Sequence, residues 1–219
     1  MDLQNKTINF LGDSITFGFG VNNLVNCFVN ILKHDCYLKN ARNYGECATR
    51  IAYQKIPSDD PLIDRNFIMR TSEMDKDADI IVIFGGTNDF GHGDAPLDTG
   101  DNKDVYSFTG ACHVLFQKII ERYPKALIVV VTPLHRIDED NVFGDKPKEK
   151  PGGTLEEYVD IILKVAGYYA LPVLDLYHIS GLQPKIPIIK ELYFFDGLHP
   201  NDNGHRIIAN KIKKYLEAQ

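Results

Sequence analysis

The chain has no tryptophan, only three methionines and no long apolar run. Its longest apolar run, 126–131, is far shorter than the roughly 20 residues that a membrane-spanning helix needs. The segment Met1–Lys6 lacks the basic start and apolar stretch of a signal peptide. We therefore expect no membrane span and no secretion signal, and we predict a cytoplasmic protein.

Cysteine and basic charge are also scarce. The four cysteines, which form no CxxC pair, are predicted to be reduced, buried thiols, and catalysis by one of them is a weaker alternative; they are Cys27, Cys36, Cys47 and Cys112. The formal net charge is -6, without a basic stripe, so we expect no nucleic-acid partner. The 219 residues fit one domain, 1–219, and nothing in them indicates an oligomeric state.

Apolar runs alternate with helical patterns along the chain. The predicted strands are 7–11, 37–44, 80–84, 126–131 and 171–176. Four of them are continuous apolar runs that suit strands buried on both faces, whereas 37–44 is more polar and suits an edge. Helical patterns occupy 24–32, 108–120, 155–166 and 208–216, and Thr154–Glu157 forms a capping box. This alternation predicts an α/β protein with a mainly parallel sheet covered on both faces.

Two long polar stretches, 90–109 and 135–153, each follow a predicted strand. We expect both to overhang the carboxyl edge of the sheet, where open α/β sheets bind ligands. Loops of this length are either functional or mobile surface insertions, and the sequence favours neither.

Ser14, in Gly12-Asp13-Ser14, follows the first predicted strand. Its hydroxyl is a candidate nucleophile exposed at the sheet edge, and the alternative is an N-cap of the next helix. The sequence around it is not G-x-S-x-G, which excludes the nucleophile elbow of the α/β-hydrolase fold.

Near the end of the chain, Asp196 and His199 lie in one short segment. A histidine is the best base for a serine hydroxyl near neutral pH, provided that a carboxylate orients it. An ordinary surface turn is the alternative. A metal cluster with Asp202 and His205 is less favoured, because the spacing matches no known ligand pattern.

Two further segments offer donors for an oxyanion. The Asn88 side chain follows Gly85-Gly86 at the end of a predicted strand, and the backbone N–H of Gly45 could point to the same place. Taken alone, both are also ordinary turn residues.

In order, these segments resemble the four blocks of the SGNH hydrolases, the GDSL lipase/acylhydrolase superfamily, from residue 8 to about residue 212. The resemblance implies Ser14 as nucleophile, His199 as base and Asp196 as its partner. It also implies an oxyanion hole made by the Ser14 amide, the Gly45 amide and the Asn88 side chain. The implied fold is a flavodoxin-like, three-layer α/β/α sandwich with five parallel strands in the order 2-1-3-4-5. In one respect the chain departs from the pattern: where the family often has a further glycine, it has Ala48.

We therefore predict a serine esterase that uses no metal or organic cofactor and cleaves small carboxylic esters. The acidic loops favour neutral short-chain esters or O-acetylated carbohydrates over anionic lipid surfaces; they carry Asp94, Asp98, Asp101, Asp104, Asp138, Glu139 and Asp140. A lysophospholipase or thioesterase of the same family is the alternative. A flavin- or nucleotide-binding module is a remote one, because Gly18-Phe19-Gly20 does not complete G-x-G-x-x-G.

Overall fold

The computed structural model describes residues 1–145, 148 and 151–219. Five parallel strands form one sheet in the order β2-β1-β3-β4-β5, as the resemblance implies. The strands are β1 (Thr7–Gly12), β2 (Asn40–Gly45), β3 (Ile80–Phe84), β4 (Leu127–Val131) and β5 (Val173–Leu174). Among the described residues, no helix is long and apolar enough to cross a membrane.

Helices cover both faces of this sheet. They are α1 (Ser14–Phe17), α2 (Phe28–Asp35), α3 (Phe67–Arg70), α4 (Thr87–His92), α5 (Phe108–Arg122), α6 (Leu155–Tyr168), α7 (Leu176–Ile179), α8 (Pro187–Tyr193) and α9 (Asp202–Ala218). Short 3-10 helices occupy Leu24–Asn26, Pro61–Asp64 and Thr71–Glu73. The three-layer α/β/α architecture predicted from the sequence is confirmed.

The alternation of side chains along the strands produces a core on each face of the sheet. One core packs Leu11, Ile81 and Ile83 against α3, α5 and α6. The other core packs Phe10, Val82 and the other strand side chains on that face of the sheet against α2 and α9. The central strands β1 and β3 are buried along their whole length, whereas β2 is half-buried and lies at the edge.

Local chemistry explains where several elements begin and end. The predicted capping box is present: the Thr154 side chain accepts from the Glu157 N–H, and the Glu157 carboxylate accepts from the Thr154 N–H. The last strand is shorter than predicted, because Asp175 caps α7 through the His178 N–H and turns the chain into a helix. The helix predicted over 24–32 begins only at Phe28, because Leu24 lies in a separate 3-10 turn, where it is 51% exposed.

The parallel register brings the ends of three strands together. Gly12, at the end of β1, is the partner of Gly45 in β2 and of Phe84 in β3. The loops after these strands therefore begin side by side at the carboxyl edge, next to the point where the strand order reverses. The segments that contain Ser14, Gly45 and Asn88 meet there for this reason.

Candidate active site

Ser14 is the first residue of α1, directly after the tight turn that ends β1. A Cβ at position 12 would overlap the Thr16 side chain, so the turn requires the glycine there. The N-cap of α1 is Asp13, whose carboxylate accepts from the Ile15 N–H at 3.0 Å. The Ser14 hydroxyl is therefore not needed for capping, and its oxygen lies 3.0 Å from Nε2 of His199.

His199 is held by a short turn that an antiparallel bridge between Phe194 and Pro200 closes. Its Nδ1 lies 2.7 Å from Asp196 Oδ2, while Asp196 Oδ1 accepts the N–H groups of Leu198 at 2.9 Å and His199 at 2.8 Å. Partial burial works to raise the pKa of Asp196, but the hydrogen bonds from His199 and Leu198 outweigh it and lower the pKa below its usual value. The carboxylate is therefore ionised when it orients the imidazole.

The three residues selected from the sequence thus form one hydrogen-bonded chain, although they come from opposite ends of the polypeptide. An imidazole that a carboxylate orients can take the proton of a neighbouring hydroxyl and make its oxygen nucleophilic. Within the described part of the chain, Ser14 Oγ makes no other hydrogen bond, so the hydroxyl is available for this chemistry.

Asn88 lies in the first turn of α4 and is almost fully buried. Its side-chain Nδ2 donates to the Thr49 carbonyl at 2.9 Å, which fixes the orientation of the amide. No other described contact uses the second hydrogen of Nδ2. The side chain therefore has one N–H to hold it in place and one to offer to a ligand.

Gly45, at the end of β2, has a hydrogen-bond partner for its backbone N–H. Its N–H already donates to Oδ1 of Asn43 at 2.8 Å, and its Cα is packed so closely against the backbone of Phe17 that a Cβ would not fit. Three residues on, Ala48 has φ +61°, a conformation that favours glycine. Its N–H makes no hydrogen bond to any described residue. The N–H groups of Cys47 and Arg50 likewise have no partner among the described residues. Ala48 is therefore a further candidate donor in this loop, and the role of Gly45 in an oxyanion hole stays a prediction.

A buried cation that the sequence reasoning missed connects these loops. The guanidinium of Arg70 donates to three carbonyls and a hydroxyl; the acceptors are Tyr44 O at 2.6 Å, Arg65 O at 3.0 Å, Gly12 O at 3.0 Å and Thr49 Oγ1 at 2.9 Å. The residue is 2% exposed. It ties the ends of β1 and β2 to the residue whose carbonyl holds Asn88.

Two buried carboxyl groups flank the same place. Burial raises the pKa of Asp13 to about 7, although the Ile15 N–H and the positive charge of Arg70 oppose the rise. Burial likewise raises the pKa of Asp89 to about 6, against two backbone hydrogen bonds from Ile51 and Ala52 at 2.9 Å. Asp89 thereby fastens the chain that follows the loop at 46–50.

The groups proposed for a metal cluster have other partners. Asp202 accepts hydrogen bonds from Asn22 and Asn26 at 2.9–3.0 Å. The buried His205 accepts the Phe28 N–H on Nδ1, and burial lowers its pKa to about 4. Within the described ranges, no three His, Cys, Asp or Glu side chains are grouped as metal ligands would be.

One cysteine prediction is wrong. The residues at 27, 36 and 112 are buried free thiols as expected, but Cys47 is exposed because it lies in the loop after β2. The glycines at 18 and 20 have structural roles: the first ends α1 in a left-handed conformation, and the second lies against Pro200.

The two polar loops differ in their relation to the site. In the first, the carboxylates mostly bind nearby backbone: Asp94 accepts from Lys55 and Ile56, and Asp104 accepts from Tyr106. In the second, Ile137 N–H donates to the Gly197 carbonyl at 3.2 Å, so this loop touches the turn that carries His199. Residues 146, 147, 149 and 150 of the predicted loop lie outside the described residues.

The chain matches the family model of the GDSL-like lipase/acylhydrolase family over residues 10–207. Among solved structures, it is similar to a protein from Lactobacillus plantarum with 28% identity and a TM-score of 0.82, covering 99% of this chain and 98% of that one. A possible lipase from Chitinophaga pinensis has 24% identity and a TM-score of 0.69, with 97% and 98% coverage. The lipase/acylhydrolase from Enterococcus faecalis has 19% identity and a TM-score of 0.65, with 97% and 96% coverage.

At 24% and 19% identity, the similarity to these last two structures shows a shared fold and nothing about activity. A comparison with curated proteins finds no match. The family model, however, spans both ends of the site, from the strand before Ser14 to the helix after His199. This chain therefore belongs to the GDSL-like lipase/acylhydrolase family.

Proposed function

We propose that the protein is a serine esterase that cleaves short-chain carboxylic esters, with O-acetylated carbohydrates as the candidate natural class. The observation that carries the proposal is the 3.0 Å distance between Ser14 Oγ and His199 Nε2, with Asp196 2.7 Å from the other ring nitrogen. This is the arrangement that a serine needs for attack on a carbonyl carbon.

In the proposed reaction, His199 takes the proton of Ser14 as the serine oxygen attacks the ester carbon. The oxyanion that develops receives hydrogen bonds from the Ser14 N–H, the free N–H of Asn88 and the Ala48 N–H. His199 then gives the proton to the leaving alcohol, and an acyl-enzyme remains. Water attacks this acyl group with His199 again as base, which releases the acid and restores Ser14.

Replacement of the nucleophile tests this proposal. We expect Ser14→Ala to lower kcat for a small ester by roughly 10⁴–10⁶, and a fluorophosphonate probe to label the wild-type protein at Ser14 alone. Ser72→Ala, at an exposed serine, is the matched control and should leave both unchanged. Retention of esterase activity by Ser14→Ala would refute the proposal.

A series of acyl chain lengths tests the substrate class. A long chain would gain about 0.8 kcal/mol per buried methylene, but only where apolar walls receive it. We expect acetyl and propionyl esters to have higher kcat/KM than octanoyl esters of the same alcohol. A steady rise beyond about eight carbons would contradict this and would favour the lysophospholipase or thioesterase alternative.

A further inference from the structure

Two exposed phenylalanines, Phe19 and Phe195, lie beside the proposed base. We call them the aromatic pair. Phe19 is 44% exposed and Phe195 is 66% exposed, and their rings meet edge to face with centroids 6.1 Å apart. The Phe19 ring also contacts the imidazole of His199, with centroids 4.5 Å apart. An apolar surface therefore continues from His199 outwards to solvent.

The backbone holds the aromatic pair in this place. The Phe19 N–H donates to the Ser14 carbonyl at 2.9 Å, and the Phe195 N–H donates to the His199 carbonyl at 2.8 Å. Between them, Gly20 has φ +96°, and a Cβ there would lie 2.7 Å from the Pro200 carbonyl oxygen. Each phenylalanine is thus fastened to the loop that carries one of the two reacting side chains.

The proposed reaction indicates which part of the substrate lies beside the aromatic pair. In the proposed reaction, the acyl carbon lies at Ser14, while the leaving oxygen must approach His199 to receive its proton. Whatever is bonded to that oxygen extends on the His199 side, which the aromatic pair borders. Binding a flat apolar ring face there would remove two exposed phenyl groups from water.

We propose that the aromatic pair binds the alcohol portion of the ester, and that the alcohol carries a ring that stacks on it. This inference rests on the proposed function and specifies the alcohol portion of its substrate. Two kinds of ring share the chemistry: an aryl ring, and the C–H face of a pyranose. The acyl portion makes no contact with the pair, so its length is read by other residues.

Phe195→Ala is the sharpest test, since Phe195 contacts Phe19 and not the imidazole. Benzyl acetate, a methyl 6-O-acetylpyranoside and ethyl acetate are compared by kcat/KM. For each ester with a ring, its kcat/KM is divided by that of ethyl acetate. We expect this ratio to be about three- to tenfold lower in the variant than in the wild type for at least one of the two ring-bearing esters. The ester with the larger loss identifies the kind of ring. The ratio of benzyl butyrate to benzyl acetate should stay the same.

Tyr168→Ala is the control. Tyr168 is 72% exposed, and it ends α6, the helix that leads back to the start of β5 at the opposite edge of the sheet. We expect the kcat/KM ratios of this variant, for the alcohol and the acyl comparisons alike, to equal those of the wild type. If Phe195→Ala changes the acyl ratio instead of the alcohol ratio, or changes neither, the inference is wrong.

A binding measurement separates this inference from the proposed function. Benzyl alcohol and methyl pyranoside, titrated by NMR, report on the alcohol site whether or not any ester is hydrolysed. We expect at least one of them to bind wild type and Ser14→Ala alike, and Phe195→Ala about three- to tenfold more weakly. The inference is wrong if wild type and Phe195→Ala bind each of the two compounds equally, or if the wild type binds neither compound. Weakened binding together with Ser14-independent hydrolysis overturns only the proposed function.

Discussion

Arg70→Met is expected to destabilise the protein strongly, although Arg70 is not proposed to touch substrate. The change keeps an aliphatic chain against the Phe67 ring, over which the guanidinium lies at 4.8 Å. It removes the donors to the carbonyls of Gly12, Tyr44 and Arg65 and to the Thr49 hydroxyl. Each of these acceptors would lose a charged donor, although Gly12 O would keep the Glu46 N–H, and the positive charge near Asp13 would be lost.

The magnitude follows from those four bonds. Hydrogen bonds from a charged donor contribute about 1.5 kcal/mol each at the lower end of their range, or about 6 kcal/mol together. The wild type already bears the cost of burying the cation, which offsets part of this sum. We therefore expect the free energy of unfolding to fall by about 3–5 kcal/mol, the range found when one partner of a buried charge network is removed.

Urea unfolding followed by circular dichroism measures the loss. For a urea m-value of about 2–3 kcal/mol/M, the midpoint should fall by about 1–2.5 M. The matched control is Arg206→Met, since the side chain of Arg206 is 51% exposed and pairs with Asp35 at the surface. That change should cost under about 1 kcal/mol. A loss for Arg70→Met no larger than for the control would refute the reasoning.

Three further results are expected. Asn88→Ala should lower kcat by about 10²–10³ with little change in KM, because the amide meets the oxyanion only in the transition state; a loss confined to KM would contradict this. Ala48→Gly should raise the free energy of unfolding by up to about 1 kcal/mol, because glycine adopts φ +61° without strain; an unchanged urea midpoint would contradict it. Burial lowers the pKa of His205 from 6.5 to about 4, so as the pH falls through this window the unfolded chain binds a proton that the folded protein does not. His205 therefore contributes a fall in stability of about 3 kcal/mol between pH 6.5 and pH 4 at 1.36 kcal/mol per pKa unit, which Asp13 and Asp89 oppose over the same range because burial raises their pKa values. Relative to its own value at pH 6.5, the stability of His205→Asn at pH 4 should therefore be higher than that of the wild type, and identical pH dependence of the two proteins would contradict this.

Sequence patterns predicted the central strands because those segments are buried on both faces and so are apolar throughout. They also selected Ser14 and Asn88, because residues after parallel strands converge at one edge whatever their separation in the chain. His199 lies in the turn between α8 and α9, so its selection depended on its residue type, its neighbour Asp196 and the family resemblance. The roles of these residues in catalysis stay predictions.

The segment between β2 and β3 could not be predicted in the same way. The burial of Arg70 depends on carbonyls contributed by three other parts of the chain, and no local pattern encodes such partners. The partner of the Gly45 N–H is a single side chain, Asn43, two residues earlier in the chain. The exposure of Cys47 depends on how that same loop leaves the sheet.

The hydrogen bond between Ser14 and His199 joins residues 185 positions apart. On a ribosome, the proposed nucleophile and the oxyanion donors emerge long before the base does. α9, which follows the base, packs against α2, and Asn22 and Asn26 bind Asp202 at its start. Under the proposed mechanism, a nascent chain is therefore inactive until α9 has emerged and the segments that carry Ser14 and His199 have met.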